Sequence, residues 1–125
     1  MSNLRMLLID TNTVFLDQAL KWLRNERRIS VVGRTKSWKR AIELMRTSHP
    51  DVVLVDVSVP DLQGGDAITA FTRRTQSPRV IVMLSYDKPE YRGWAREAGA
   101  IGCVSKSDFI LELKPLIRAL FLKRV

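Results

Sequence analysis

Four polar residues, each closing a short apolar run, set the chemistry open to this chain. Asp10 follows Met6-Leu7-Leu8-Ile9, and Asp56 follows Val52-Val53-Leu54-Val55. Ser85 follows Val80-Ile81-Val82-Met83-Leu84, and Lys106 follows Ile101-Gly102-Cys103-Val104-Ser105. Two carboxylates with oxygen-bearing neighbours suit Mg²⁺, which keeps several waters and needs only one or two protein carboxylates. A hydroxyl and an ammonium beside them suit the oxygens of a phosphoryl group. Other chemistries lack parts. The sole histidine, His49, precedes Pro50 at the far end of the Val52 run, and no Ser-His-Asp arrangement is apparent. No GxGxxG or P-loop follows the first run, which argues against a dinucleotide or NTP cradle. The lone Cys103 can form neither an internal disulfide nor a thiolate cluster and reads as a small buried packer. Nothing offers a general base matched to a pocket, so an enzyme acting on a small substrate is the reading least expected.

Those four residues can meet only if the apolar runs are neighbouring strands. The runs beginning at Met6, Val52 and Val80 are continuously apolar, as expected of central strands in a parallel sheet covered on both faces. Ile29 to Val32 is mixed, as an edge strand would be, and Ile101 to Val104 gives a fifth strand. Helical spacing fills the intervals: Phe15, Ala19, Trp22 and Leu23; then Trp38, Ala41, Ile42 and Met45 after the cap candidate Ser37; then Ala67, Ile68 and Phe71 after Gly64-Gly65. Asp87 is the cap candidate for a fourth helix with Tyr91, Trp94, Ala95 and Ala98 inside and Gly99 as its stop. A fifth helix starts near Ser107-Asp108 and carries Leu113, Leu116, Ile117 and Leu120. Strict alternation of strand and helix predicts right-handed crossovers and an α/β sandwich of three layers. In such sheets, ligands collect at the carboxyl ends of the strands. The length of 125 residues suits one domain, 1–125, and 46% apolar residues suffice for a core. No apolar run approaches the roughly 20 residues that span a bilayer, and the N-terminus does not read as a signal peptide, so a cytoplasmic domain without membrane contact is expected.

With the motifs taken in order, the chain resembles the receiver domains of bacterial two-component response regulators. The resemblance rests on Leu7-Leu8-Ile9-Asp10, on the stretch from Pro50 through Asp56 to Pro60, on Val82-Met83-Leu84-Ser85, and on Ala98 through Lys106. It implies a flavodoxin-like sheet of order 2-1-3-4-5 with five helices. It implies that Asp56 accepts a phosphoryl group from a sensor histidine kinase in a Mg²⁺-dependent step. Asp10, Asp56 and the backbone carbonyl of Ser58 would hold the metal, Ser85 would move to hydrogen-bond the phosphoryl group, and Lys106 would pair with its oxygens. It further implies control of a downstream output domain or partner, and a surface on the fourth and fifth helices open to homodimerisation. The alternative is an interaction scaffold indifferent to phosphorylation.

Four positions depart from the family pattern. Thr11 stands where a second acid is usual, and a charge pair near 4 Å is worth up to about 4 kcal/mol at an effective dielectric of 20, so weak metal binding is expected. Cys103 replaces the usual aromatic of the fifth strand. Tyr86-Asp87 follows Ser85 in a segment one residue shorter than common, so Tyr86 is expected to crowd the site. Pro115 falls within the fifth helix and predicts a bend there. Separately, the net charge of +8 is concentrated from Lys21 to Arg46, where nine cations face only Glu26 and Glu43. A solvated face is the first reading of this cluster and direct contact with nucleic acid the lesser one.

Overall fold

The computed structural model describes residues 3–62, 65–74 and 77–123. Five strands alternate with five helices: β1 Leu4–Ile9, α1 Thr13–Arg24, β2 Ile29–Thr35, α2 Trp38–Ser48, β3 Val52–Asp56, α3 Gly65–Thr72, β4 Arg79–Leu84, α4 Pro89–Glu97, β5 Gly102–Ser105 and α5 Phe109–Lys123. All strand pairs are parallel, in the order β2-β1-β3-β4-β5. The α/β architecture is the one expected from the alternation of apolar runs and amphipathic segments, and the strand order is the one the family resemblance implies.

Each face of the sheet carries its own core. Leu4, Met6, Leu8, Leu54, Ile81 and Met83 point to the layer formed by α1 and α5. Leu7, Ile9, Val53, Val55, Val80 and Val82 point to the layer formed by α2, α3 and α4. Alternate residues of one strand serve opposite layers, which is why β1, β3 and β4 must be apolar throughout. Removing such a buried side chain from water contributes roughly 1.5–3 kcal/mol each.

Capping fixes where the helices begin. Asn12 Oδ1 accepts the Phe15 N–H at 3.1 Å, starting α1 just after Asp10. Ser37 Oγ accepts the Arg40 N–H at 3.1 Å, as its position predicts. Asp61 adds a second cap to α2, taking the N–H groups of Trp38 at 2.7 Å and Lys39 at 3.0 Å. The Lys39 bond foremost, with those from Trp38 and Ser37, holds the Asp61 carboxyl below its usual value against a smaller opposing effect of burial.

Several sequence expectations need correction. The core stripe of α1 is Leu16, Ala19, Leu20 and Leu23, whereas Phe15 and Trp22 are partly buried and pack edge-on against Phe109. Asp87 does not cap α4: the N-cap is Lys88 with no side-chain cap bond, because Asp87 is taken by Arg92. Tyr91 is exposed rather than internal. β2 extends to Thr35 through an irregularity opposite Met6 and Leu7. As expected, Pro115 falls inside α5, where the N–H it lacks would have bonded the carbonyl of Leu111, an exposed residue. Gly99 follows α4 with φ +96°, a conformation glycine adopts freely. His49 closes α2 in the left-handed region, remote from any chemistry. The expected lead into α3 at Gly64 lies outside the described residues.

Candidate functional site

Register places the four singled-out residues on one rim. Ile9 pairs with Val55, so Asp10 emerges beside Asp56; Leu84 pairs with Ser105, so Ser85 emerges beside Lys106. The strand order reverses between β1 and β3, and the crevice above that reversal is where open α/β sheets hold their ligands.

Both carboxylates are buried, each with 1% of its surface exposed. Lys106 Nζ bridges them, 2.6 Å from Asp10 Oδ2 and in contact with Asp56 Oδ2. The ring of Phe15 lies 4.8 Å from the same ammonium and closes its third side. The remaining oxygens are held by backbone. Asp10 Oδ1 accepts the Asn12 N–H at 3.0 Å, and Asp56 Oδ1 accepts both the N–H and the hydroxyl of Ser58 at 2.6 Å. Asp10 Oδ2 and Asp56 Oδ2 take no hydrogen bond beyond the ammonium they share. Two buried anionic oxygens turned toward one cation are the donor set that a divalent ion completed by waters requires. No group of three or more His, Cys, Asp or Glu side chains gathers among the described residues, so the fit is to a two-carboxylate site.

The remaining residues divide. Ser85 stands exposed on the same rim, outside the carboxylate–ammonium contact. Thr11 is exposed and contributes no charge. Tyr86 does not crowd the site, contrary to expectation: at 74% exposure its ring lies out in solvent. Cys103 is half-buried, and burial foremost pushes its thiol up, which leaves a poor nucleophile.

Beside the rim lies a second charged group that sequence patterns did not reveal. Arg92 on α4 makes a two-point contact with Asp87, Nε to Oδ1 at 2.5 Å and Nη2 to Oδ2 at 3.0 Å. It also reaches Glu112 Oε1 on α5 at 2.9 Å. Glu112 in turn accepts the N–H and hydroxyl of Ser105 at 3.0 and 3.3 Å. Burial acts to raise the Glu112 carboxyl, but Arg92 and Ser105 together hold it below its usual value; Asp87 is lowered chiefly by its bond to Arg92. The Arg92 guanidinium is correspondingly raised, Asp87 first and then Glu112. Residues 20 apart with no motif between them give no signal before the fold is known.

The geometry coincides with a family match: the model for the response regulator receiver domain matches residues 6–118. The chain belongs to the response regulator receiver domain family. Among curated relatives of this receiver, the transcriptional regulatory protein MctR of Rhizobium johnstonii is 33% identical over 103 residues, covering 82% of this chain and 48% of its own length. A protein-glutamate methylesterase/protein-glutamine glutaminase of Myxococcus xanthus is 35% identical over 110 residues, covering 84% of this chain and 30% of its own. The solved signal receiver domain of NarL from Mycobacterium tuberculosis superposes with a TM-score of 0.75 at 27% identity, covering 85% of this chain and 86% of that one. The receiver thus spans half or less of the length of those curated relatives, which include both regulators and enzymes. The scaffold alternative finds no support among them. No described helix is long and apolar enough to cross a membrane.

The basic run from Lys21 to Arg46 does not form one face. Lys21 and Arg24 belong to α1, while Lys39, Arg40 and Arg46 belong to α2 on the other side of the sheet. Arg34 pairs with Asp17, Arg40 with Glu43, and Arg28 covers the ring of Phe121. Division between layers and local pairing favour the solvated reading over a nucleic-acid surface.

Proposed function

We propose that this receiver takes a phosphoryl group on Asp56 from the phosphohistidine of a sensor kinase. The observation that carries the reading is the buried pair Asp10 and Asp56, turned onto a single cation at the strand-order reversal. An Asp56 carboxylate oxygen forms a bond to phosphorus as the phosphorus–nitrogen bond to the donor imidazole breaks. The backbone and hydroxyl of Ser58 fix one oxygen of Asp56. Lys106 exchanges its contact with the other for the incoming phosphoryl oxygens, neutralising charge where it builds. Mg²⁺ held by Asp10, Asp56 and the Ser58 carbonyl would supply further neutralisation, weakly because Thr11 adds no charge. Ser85, exposed on the rim, moves inward to bond the phosphoryl group once it is present. The surface then altered, on α4 and α5, is the one that acts on an output domain, a partner protein or a second copy.

On this reading the receiver, residues 1–125, is a cytoplasmic signalling domain that assists its own phosphorylation and performs no separate catalysis. Incubation with acetyl phosphate and Mg²⁺ is expected to add one phosphoryl group, mapped by mass spectrometry to Asp56 and lost in Asp56→Asn. Thr11→Asp is expected to tighten Mg²⁺ binding by at least about tenfold. No modification at saturating Mg²⁺, or modification elsewhere, overturns the assignment.

A further inference from the structure

We infer that Glu112, gripped by Arg92, is a positioning residue for phosphotransfer: it fixes Ser105, and with it the Lys106 ammonium, and ties that strand end to the loop bearing Ser85. This deepens the reading of Asp56, Ser85 and Lys106 given above and rests on it.

The argument starts from β5 as the outer strand of the sheet. Lys106 turns its N–H inward to the Leu84 carbonyl at 2.8 Å. Ser105, one residue earlier, turns its N–H outward, where no further strand lies among the described residues, yet it is only 3% exposed. A buried N–H left without an acceptor costs about 1–3 kcal/mol. Glu112 supplies the acceptor from α5, and its second oxygen takes the Ser105 hydroxyl, so Ser105 is held at two points. Strand β4 grips Lys106 from one side while α5 grips Ser105 from the other. The root of the lysine side chain is thereby fixed.

Arg92 extends the grip. Its Nη2 bonds Glu112 Oε1 and Asp87 Oδ2, its Nε bonds Asp87 Oδ1, and its Nη1 approaches the Cys103 carbonyl at 3.4 Å. A guanidinium is suited to this because its planar fork serves several acceptors at once. Asp87 lies two residues after Ser85, so the loop that must move toward a phosphoryl group is moored to the same carboxylate that holds Ser105. A displacement of about 1 Å in a catalytic group can cost on the order of a hundredfold in rate. The clasp therefore sets both the placement of Lys106 and the range open to Ser85.

A mere edge cap would matter for stability alone, and a double-mutant cycle separates the two roles. Phosphorylation by acetyl phosphate and Mg²⁺ is followed in wild type, Glu112→Ala, Lys106→Ala and the double variant. Glu112→Ala is expected to lower the rate about tenfold, and by no more than about threefold once Lys106 is absent, the remainder passing through Ser85. An equal loss in both backgrounds, or none in either, overturns the inference. Should Glu112→Ala not fold, Glu112→Gln enters the same cycle. Should wild type take no phosphoryl group, the Asp56 assignment fails, and NMR of the free protein decides the clasp. Shifts at both Lys106 Nζ and the Ser85 amide in Glu112→Gln support it, and unmoved resonances at either overturn it.

Discussion

Two cations in this receiver each bridge two carboxylates, and their settings differ. Lys106 has 13% of its side chain exposed and joins Asp10 and Asp56, each 1% exposed. Arg92 is 34% exposed and joins Asp87 and Glu112, at 46% and 28%. In the first bridge, water is excluded, so three charges depend on one another. In the second, water shares every charge, and the planar fork supplies direction more than energy. A compact ammonium on a flexible stem can leave its partners for a better anion, whereas a guanidinium making four contacts holds elements at fixed separation. The buried bridge is therefore built for exchange and the exposed one for alignment.

The sharpest way to break this contrast is Lys106→Ala. Loss of the ammonium leaves two buried carboxylates uncompensated, and removing one partner of a buried ionic group costs about 3–5 kcal/mol. Urea unfolding without Mg²⁺ is expected to show that loss, and Mg²⁺ is expected to restore more stability to the variant than it adds to wild type. A variant as stable as wild type without metal would show that the site is wetter than its burial implies.

How much of this was legible beforehand follows from the range of the interactions. Continuous runs such as Val52 to Val55 and Val80 to Leu84 predict buried strands because alternate residues must serve both layers. The alternation then implies a parallel sheet, the family resemblance supplies its strand order, and strand ends bring Asp10, Asp56, Ser85 and Lys106 to one rim. Ser37 is legible as a cap because its partner, Arg40, lies three residues away. Asp61 is not, since it reaches α2 from 22 and 23 residues off. The same limit hid the Arg92 clasp and misassigned Asp87, whose local offer to cap α4 loses to a two-point guanidinium contact. Phe15 misled for another reason: helical spacing marks a face, not which half of it meets the core and which meets a lysine.

A milder disturbance targets the exposed bridge. Arg92→Lys keeps the charge but not the fork, so the Asp87 and Glu112 contacts cannot both be kept with their present geometry. The expected loss is about 1 kcal/mol by urea unfolding, well below that of Lys106→Ala. Equal losses would erase the distinction between the two bridges.

The smallest effect is one of pH, and its sign is fixed by the direction of the Glu112 shift. Its carboxyl is held below the ordinary glutamate value of 4.5 in the folded receiver. The unfolded chain therefore takes up this proton first, and the contribution of Glu112 is complete above that value. It is lost as pH falls through the lower folded value. The stability difference between wild type and Glu112→Gln is expected to be constant from about pH 7 to about pH 5, then to shrink toward zero on further acidification. Ser105 resonances are expected to move over the same acid range in wild type and to stay still in the variant. A difference that grows on acidification would mean that burial outweighs Arg92 at Glu112, reversing the role assigned to the exposed bridge.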